Sequence, residues 1–318
     1  METKPKKNIF DFQLISILIF VFMIFVVLGC ASGNKGSIRA VNPTFENHML
    51  SDFPEELTAD KLPEMTGDEY ERLGDALLGK GNLHLAFLQY ERSLQKNPNN
   101  LRVEYKKGLA LLGGGKNDDA IGQFQKVLDK DPEFAMAYEG LGRAFFQKRQ
   151  YDAAEINFRK ALGLNSRLWK SHNFLGNIYD YLRKYENAVK EYKSALVIRP
   201  ENGLLHNNLG VSYTLIGDYK KAIRAFNQAI ALTFSTCKVY NNLGLALANL
   251  GQYTQALAAF KKGGGEARAY NNLGCIYLEQ GKFEEATRCF QKAIEIEPGF
   301  YARANENLKK AETANGQL

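Results

Sequence analysis

Leucine, alanine and aromatic residues recur three and four positions apart through residues 67–300, broken at short turns rich in glycine, asparagine and proline. That spacing predicts a succession of short amphipathic α-helices. Three stretches, HNNLGVSYTLIGDY from His206, VYNNLGLALANLGQY from Val239 and AYNNLGCIYLEQGKF from Ala269, are nearly one sentence repeated. Aligning on their glycine extends the register to Gly74, Gly108, Gly142, Gly176, Gly210, Gly244 and Gly274, with five intervals of 34 residues and a last of 30. Alanine stands twelve residues after each glycine (Ala86, Ala120, Ala154, Ala188, Ala222, Ala256, Ala286), and an aromatic four further on (Tyr90, Phe124, Phe158, Tyr192, Phe226, Phe260, Phe290).

Each unit therefore reads as two helices, with glycine and alanine letting them approach closely and the aromatic filling the groove beside them. Pro98, Pro132, Pro200 and Pro298 close four of the units by stopping the second helix. Thr66-Gly67-Asp68-Glu69 has the form of a capping box for the first helix. Between Phe260 and Tyr270 the chain reads KKGGGEARA, four residues short of the regular unit. This predicts loss of about one helical turn, roughly 5–6 Å. Gly263-Gly264-Gly265 would admit the backbone angles that the shorter connection needs, as a neutral deletion or as a kink before the last unit.

This register resembles the tetratricopeptide (TPR) repeat over residues 67–300. The resemblance implies an all-α fold, a superhelical solenoid of seven helix-turn-helix repeats in which stacking of neighbours makes the core. Residues 301–318 are expected to form a capping helix, from Tyr301 to Ala311, and a tail.

The amino terminus has another pattern. Lys4, Lys6 and Lys7 precede a run from Phe12 to Leu28 in which only Gln13 and Ser16 are polar, the layout of an export signal. Val27-Leu28-Gly29-Cys30 resembles the bacterial lipobox, although Leu28 stands where a smaller residue is commoner. The resemblance implies a cleaved signal at residues 1–29 and lipidation of Cys30, against the alternative of an uncleaved inner-membrane anchor. Ala31 and Ser32 lack the aspartate that holds enterobacterial lipoproteins in the inner membrane, so the expected location is the outer membrane, facing the periplasm. Residues 30–66, with Pro43, Pro54 and Pro63, read as a tether with a short helix around 55–61 and a mean reach of roughly 30–36 Å.

Composition adds little beyond this. The chain has 318 residues, 45% hydrophobic and 24% charged, and a net charge of +6, which is a mild bias only. Cys30, Cys237, Cys275 and Cys289 form neither a CxxC pair nor a disulfide framework, so no metal is implied. His48, His84, His172 and His206 fall in the tether or at packing positions, and Gly113-Gly114-Gly115-Lys116 lacks the rest of a phosphate loop. Tether and repeats use up the length. No enzyme activity, cofactor, nucleic acid or small-molecule substrate is expected.

The doubled asparagines are the candidate site. By 3.6-residue spacing, the first helices of units four to seven place Asn173 and Asn177, Asn207 and Asn208, Asn241, Asn242 and Asn249, and Asn271 and Asn272 on one broad face. The TPR resemblance makes this the concave groove. A carboxamide both donates and accepts, so such a ladder suits the backbone of an extended peptide. Asn208, Asn242 and Asn272 read equally well as bonds within or between repeats. Lys170, Lys238 and Arg268 flank the ladder and suit acidic groups.

The implied protein is a lipid-anchored scaffold that binds another protein and assists an envelope machine. The lipobox joined to repeats, with the short unit before GEARAYNNLGCIYLEQGKFEEA, looks most like the Tad (Flp) pilus assembly lipoproteins, which would make a secretin the partner. The alternative is an adaptor that holds cell-wall hydrolases.

Overall fold

The computed structural model describes residues 65–298 and 301–316. The expected signal, Cys30, the tether up to residue 64 and its short helix lie outside the described residues. Fifteen helices, and no strand, are found among the described residues: α1 Gly67–Gly79, α2 Leu83–Lys96, α3 Leu101–Gly113, α4 Asn117–Lys130, α5 Ala135–Gln147, α6 Tyr151–Leu164, α7 Trp169–Tyr181, α8 Tyr185–Ile198, α9 Gly203–Ile216, α10 Tyr219–Ala231, α11 Cys237–Asn249, α12 Tyr253–Gly264, α13 Glu266–Glu279, α14 Phe283–Ile296 and α15 Tyr301–Asn315. They divide between Pro200 and Glu201 into two compact units. The first holds four helical hairpins, α1–α8. The second holds three, α9–α14, closed by α15, which packs on α13 and α14. The architecture is that of an all-α helical-repeat solenoid.

Local chemistry explains where the helices start and stop. Thr66 completes the capping box: its Oγ1 accepts from the Glu69 amide at 3.3 Å while its own amide donates to Glu69 Oε2 at 2.7 Å. Asn100, Asn202, Asp218 and Thr236 cap four later helices with side-chain oxygens. Second helices α2, α4, α8 and α14 each end two residues before Pro98, Pro132, Pro200 and Pro298.

The glycine–alanine–aromatic register is the core of each hairpin. All seven alanines and all seven aromatics of the register are buried. A methyl group on the register glycine would lie 2.5–2.7 Å from the ring sixteen residues on, as at Gly176 against Tyr192 or Gly274 against Phe290. The space left by the missing side chain is thus filled by a ring, rather than by the partner backbone as the sequence pattern suggested.

The turns between paired helices place one residue in the left-handed region. It is glycine at Gly81, Gly115, Gly217, Gly251 and Gly281, but Arg149 (φ 59°) and Arg183 (φ 57°) hold the same place in units three and four. A side chain there costs roughly 1–2 kcal/mol, partly offset by the greater freedom of glycine in the unfolded chain. Arg149→Gly and Arg183→Gly are each expected to raise stability by about 0.5 kcal/mol, read as a higher denaturant midpoint.

The short unit differs from its expectation. Helix α12 has 12 residues, against 13 or 14 in the other second helices. Gly265 alone separates it from α13, where the other units have four- or five-residue connections. Most of the deletion therefore falls in the linker, not in the last helical turn. Gly265, at φ 85° and ψ 174°, ends one helix and starts the next.

Candidate protein-interaction site on the first helices

Within each compact unit the first helices of neighbouring hairpins touch directly, α3 with α5 and α5 with α7, then α9 with α11 and α11 with α13. Their polar residues therefore have two possible tasks, holding the next hairpin or facing outward. The structure separates these tasks by register.

The fifth position of the units is Glu71, Tyr105, Glu139, Asn173, Asn207, Asn241 and Asn271, and all seven are buried, between 3% and 8% exposed. Several accept a hydrogen bond from the next first helix. Glu71 receives Arg102 Nη2 at 2.9 Å and Lys106 Nζ at 2.7 Å. Glu139 Oε2 receives Ser171 Oγ at 2.8 Å. Asn207 Oδ1 receives Asn242 Nδ2 at 3.3 Å. Asn271 Oδ1 receives Asn307 Nδ2 of α15 at 3.1 Å. Tyr105 packs its ring 5.6 Å from that of Phe134 instead. Asn241 Nδ2 donates to the Gly263 carbonyl at 3.4 Å, tying α11 to the glycine joint. At Glu71, Glu139, Asn207 and Asn271 the fifth position is a clasp to the next hairpin or to α15, and a buried polar group held this way costs far more when its partner is removed than the bond itself contributes.

The remaining candidates sit differently. Asn242, buried, donates into the clasp of Asn207, and Asn208 Oδ1 accepts from Asn207 at 3.2 Å. Asn177 Oδ1 accepts from the Tyr192 hydroxyl at 2.6 Å, and Asn249 Nδ2 returns to its own helix at the Leu245 carbonyl, 3.0 Å away. Asn272 is half-buried and makes no side-chain hydrogen bond among the described residues. Lys170 and Lys238 are exposed, Arg268 is half-buried, and none of the three forms an ion pair among the described residues. Lys170 lies over the Trp169 ring, 5.8 Å from its centre.

Sequence reasoning set Glu71 apart as a separate contact or a structural end and did not single out Glu139, so the acidic members of the clasp were not recognised as such. Glu71 and Glu139 stand 68 residues apart, two register periods, in line with the asparagines, and that alignment was the available signal. Burial of Glu71 acts to raise its pKa, but hydrogen bonds from Lys106 and Arg102 outweigh it and hold the carboxyl below the ordinary value of 4.5. A lowered carboxyl pKa stabilises the fold above the unfolded value, and the contribution disappears as pH falls through the folded value. The first compact unit should therefore lose stability below about pH 4.5. Glu71→Gln should flatten that slope in urea titrations at pH 3–7.

Cys275 is buried, burial pushes the Cys289 thiol up to about 11, and Cys237 is exposed. Among the described residues, no helix is long and apolar enough to cross a membrane, and no three metal-ligating side chains cluster.

This arrangement, paired helices stacked through a polar clasp, defines a helical-repeat scaffold. Models of the tetratricopeptide repeat match residues 105–167, 176–217, 204–232, 238–263 and 267–300, together more than half of the chain. The chain belongs to the tetratricopeptide-repeat family, a class of generally non-catalytic protein-interaction scaffolds. Among solved structures it resembles the APC/C hetero-tetramer Cut9–Hcn1 at 24% identity and a TM-score of 0.57, over 77% of this chain and 49% of that one. The chain thus spans about half the length of that neighbour. A tetratricopeptide repeat protein from Parabacteroides merdae matches at 19% identity and TM-score 0.50, over 77% of this chain and 98% of that one. PilF of Pseudomonas aeruginosa matches at 23% identity and TM-score 0.51, over 65% and 95%. These are likenesses of fold. No curated protein matches the sequence significantly.

Proposed function

We propose that the protein is a membrane-anchored scaffold that captures an extended segment of another protein along the first helices of its C-terminal unit. The observation that carries this reading is the set of polar groups left over once the clasp is formed: Asn272, Lys238 and Arg268 lie on α11 and α13 outside the ion pairs of the fold. Asn208, on α9, and Asn249, at the end of α11, are half-buried in the same unit. Unpaired cations favour carboxylates on the bound segment, and the free carboxamide can serve its backbone. The buried Asn207, Asn241 and Asn271 support the groove from beneath.

Changing Lys238, Arg268 and Asn272 together to Ala should abolish partner recovery in crosslinking from intact cells while leaving the melting temperature within about 2 °C. Undiminished recovery would remove this surface from the reading. Anchoring rests on the lipobox-like sequence at Cys30. Cys30→Ser is expected to eliminate incorporation of labelled fatty acid, and labelling that persists would refute the assignment. Assistance to a pilus machine rests on the sequence resemblance to Tad lipoproteins, and the likeness to PilF, being one of fold, adds no weight to it. The competing reading as a hydrolase adaptor is favoured if the crosslinked partners are cell-wall enzymes rather than a secretin.

A further inference from the structure

We propose that the first compact unit carries, across α5 and α7, a docking surface for this chain's own acidic segment, residues 52–62. Positions 2, 6 and 9 of a first helix share one face, beside the clasp of position 5. On α3 the cations of that face are already neutralised: Arg102 pairs with Glu71 at 2.9 Å, and Lys106 pairs with Glu71 at 2.7 Å and with Asp75 at 2.5 Å. On α5 and α7, which touch, they are not. Arg143, position 9 of α5, is half-buried with neither an ion pair nor a hydrogen bond among the described residues. Lys170, position 2 of α7, is exposed and forms no ion pair among them. The same two helices show apolar surface on this face. Met136, position 2 of α5, is 40% exposed, and Phe174, position 6 of α7, is half-buried with its ring 5.1 Å from that of Phe146.

A half-buried guanidinium without a partner calls for a carboxylate, and the exposed methionine and phenylalanine call for apolar side chains next to it. The chain itself supplies both. Residues 46–64 hold Glu46, Asp52, Glu55, Glu56, Asp60 and Glu64 against one lysine, Lys61, in a chain whose net charge is +6. Phe53, Leu57 and Leu62 are interspersed among those carboxylates. Length permits the contact. Twelve residues separate Phe53 from Met65, just ahead of the Thr66 cap of α1, and can span up to about 40 Å. Three steps between packed first helices, at about 8–10 Å each, lead from α1 to α7. A ligand tied to its site by so short a connection meets it at an effective concentration on the order of millimolar, so a few exposed ion pairs suffice to hold it. A partner that used α5 and α7 would first have to displace the segment. This face shares no residue with Lys238, Arg268 and Asn272, so either surface stands without the other.

The test is photocrosslinking of the full chain with benzoylphenylalanine in place of Phe53. Crosslinks should fall on residues 135–147 or 169–181. In a mixture of isotopically light and heavy chains they should join residues of one chain. Arg143→Glu with Lys170→Glu should lower the yield about fivefold, and Glu55→Lys with Glu56→Lys should do the same, as expected for the loss of a few exposed ion pairs. All four changes together should restore most of the yield, which a damaged fold would not do. Should Arg143→Glu fold poorly, Lys170→Glu alone, at an exposed position, should lower the yield about twofold. Raising the salt from roughly 0.05 M to 0.5 M should lower it as well, because exposed charges are screened. No crosslink, crosslinks confined to other helices, crosslinks between light and heavy chains (a second copy as the occupant), or a yield indifferent to charge reversal would overturn the proposal.

Discussion

Gly265→Ala is expected to destabilise the C-terminal unit by about 2–3 kcal/mol, because φ 85° with ψ 174° is a backbone region almost confined to glycine. A longer connection would relax by unwinding a residue or two. Here a single residue joins α12 to α13, so relaxation must unwind a helix end. Gly263→Ala should cost a similar amount for another reason. Its new methyl would lie 2.3 Å from Asn241 Oδ1 and 3.0 Å from the Cys237 carbonyl, and both belong to the packed start of α11. Forcing atoms into such a contact typically costs about 1–3 kcal/mol, and displacing the carboxamide also breaks its bond to the Gly263 carbonyl. Gly264→Ala is the internal control, since its methyl would meet only the flexible Arg268 side chain at 3.4 Å. The three variants should rank in urea titration with Gly264→Ala close to wild type. A weak effect at Gly265 would mean that the joint is free to adopt other conformations, as a hinge would.

The fold was readable from the sequence because its defining contacts are local. A register glycine and its ring are sixteen residues apart in one hairpin, so the spacing that marks the family is also the spacing of the contact. The division of labour among the asparagines was less readable. Asn207 and Asn208 are neighbours in sequence and look alike, yet the first is the buried acceptor of Asn242, 35 residues on, and the second is half-buried. Which carboxamide turns inward depends on how far one hairpin is rotated on the next, and helical periodicity within one unit does not encode that rotation. The inward roles of Glu71 and Glu139 were illegible for the same reason: an acidic residue on a helix shows no partner until the next hairpin supplies Arg102, Lys106 or Ser171. The role of the short unit was partly legible. Three glycines announced unusual backbone, but only the structure shows that Gly263 is demanded by packing, Gly265 by its dihedral angles and Gly264 by neither.

The paired substitution Asn207→Ala with Asn241→Ala is expected to lower stability by about 2–5 kcal/mol, because each removes a buried hydrogen-bonding group whose partner stays behind. Asn242 Nδ2 would lose its acceptor, and the Gly263 carbonyl would lose its side-chain donor. The melting transition of the C-terminal unit should fall by roughly 8–20 °C, at about 4 °C per kcal/mol for a domain of this size. Read from the sequence alone, the same pair would be expected to weaken capture without affecting stability; burial reverses that expectation. A double-mutant cycle sharpens it. Asn207→Ala and Asn242→Ala together should cost less than the sum of the two single changes, since the second removes the group that the first leaves unsatisfied. Strict additivity would show that the two carboxamides do not depend on one another and that the clasp is not what holds α9 to α11. A coupled pair that also loses its partner protein only in step with its stability would confine direct recognition to Lys238, Arg268 and Asn272, whose removal leaves the hairpins stacked.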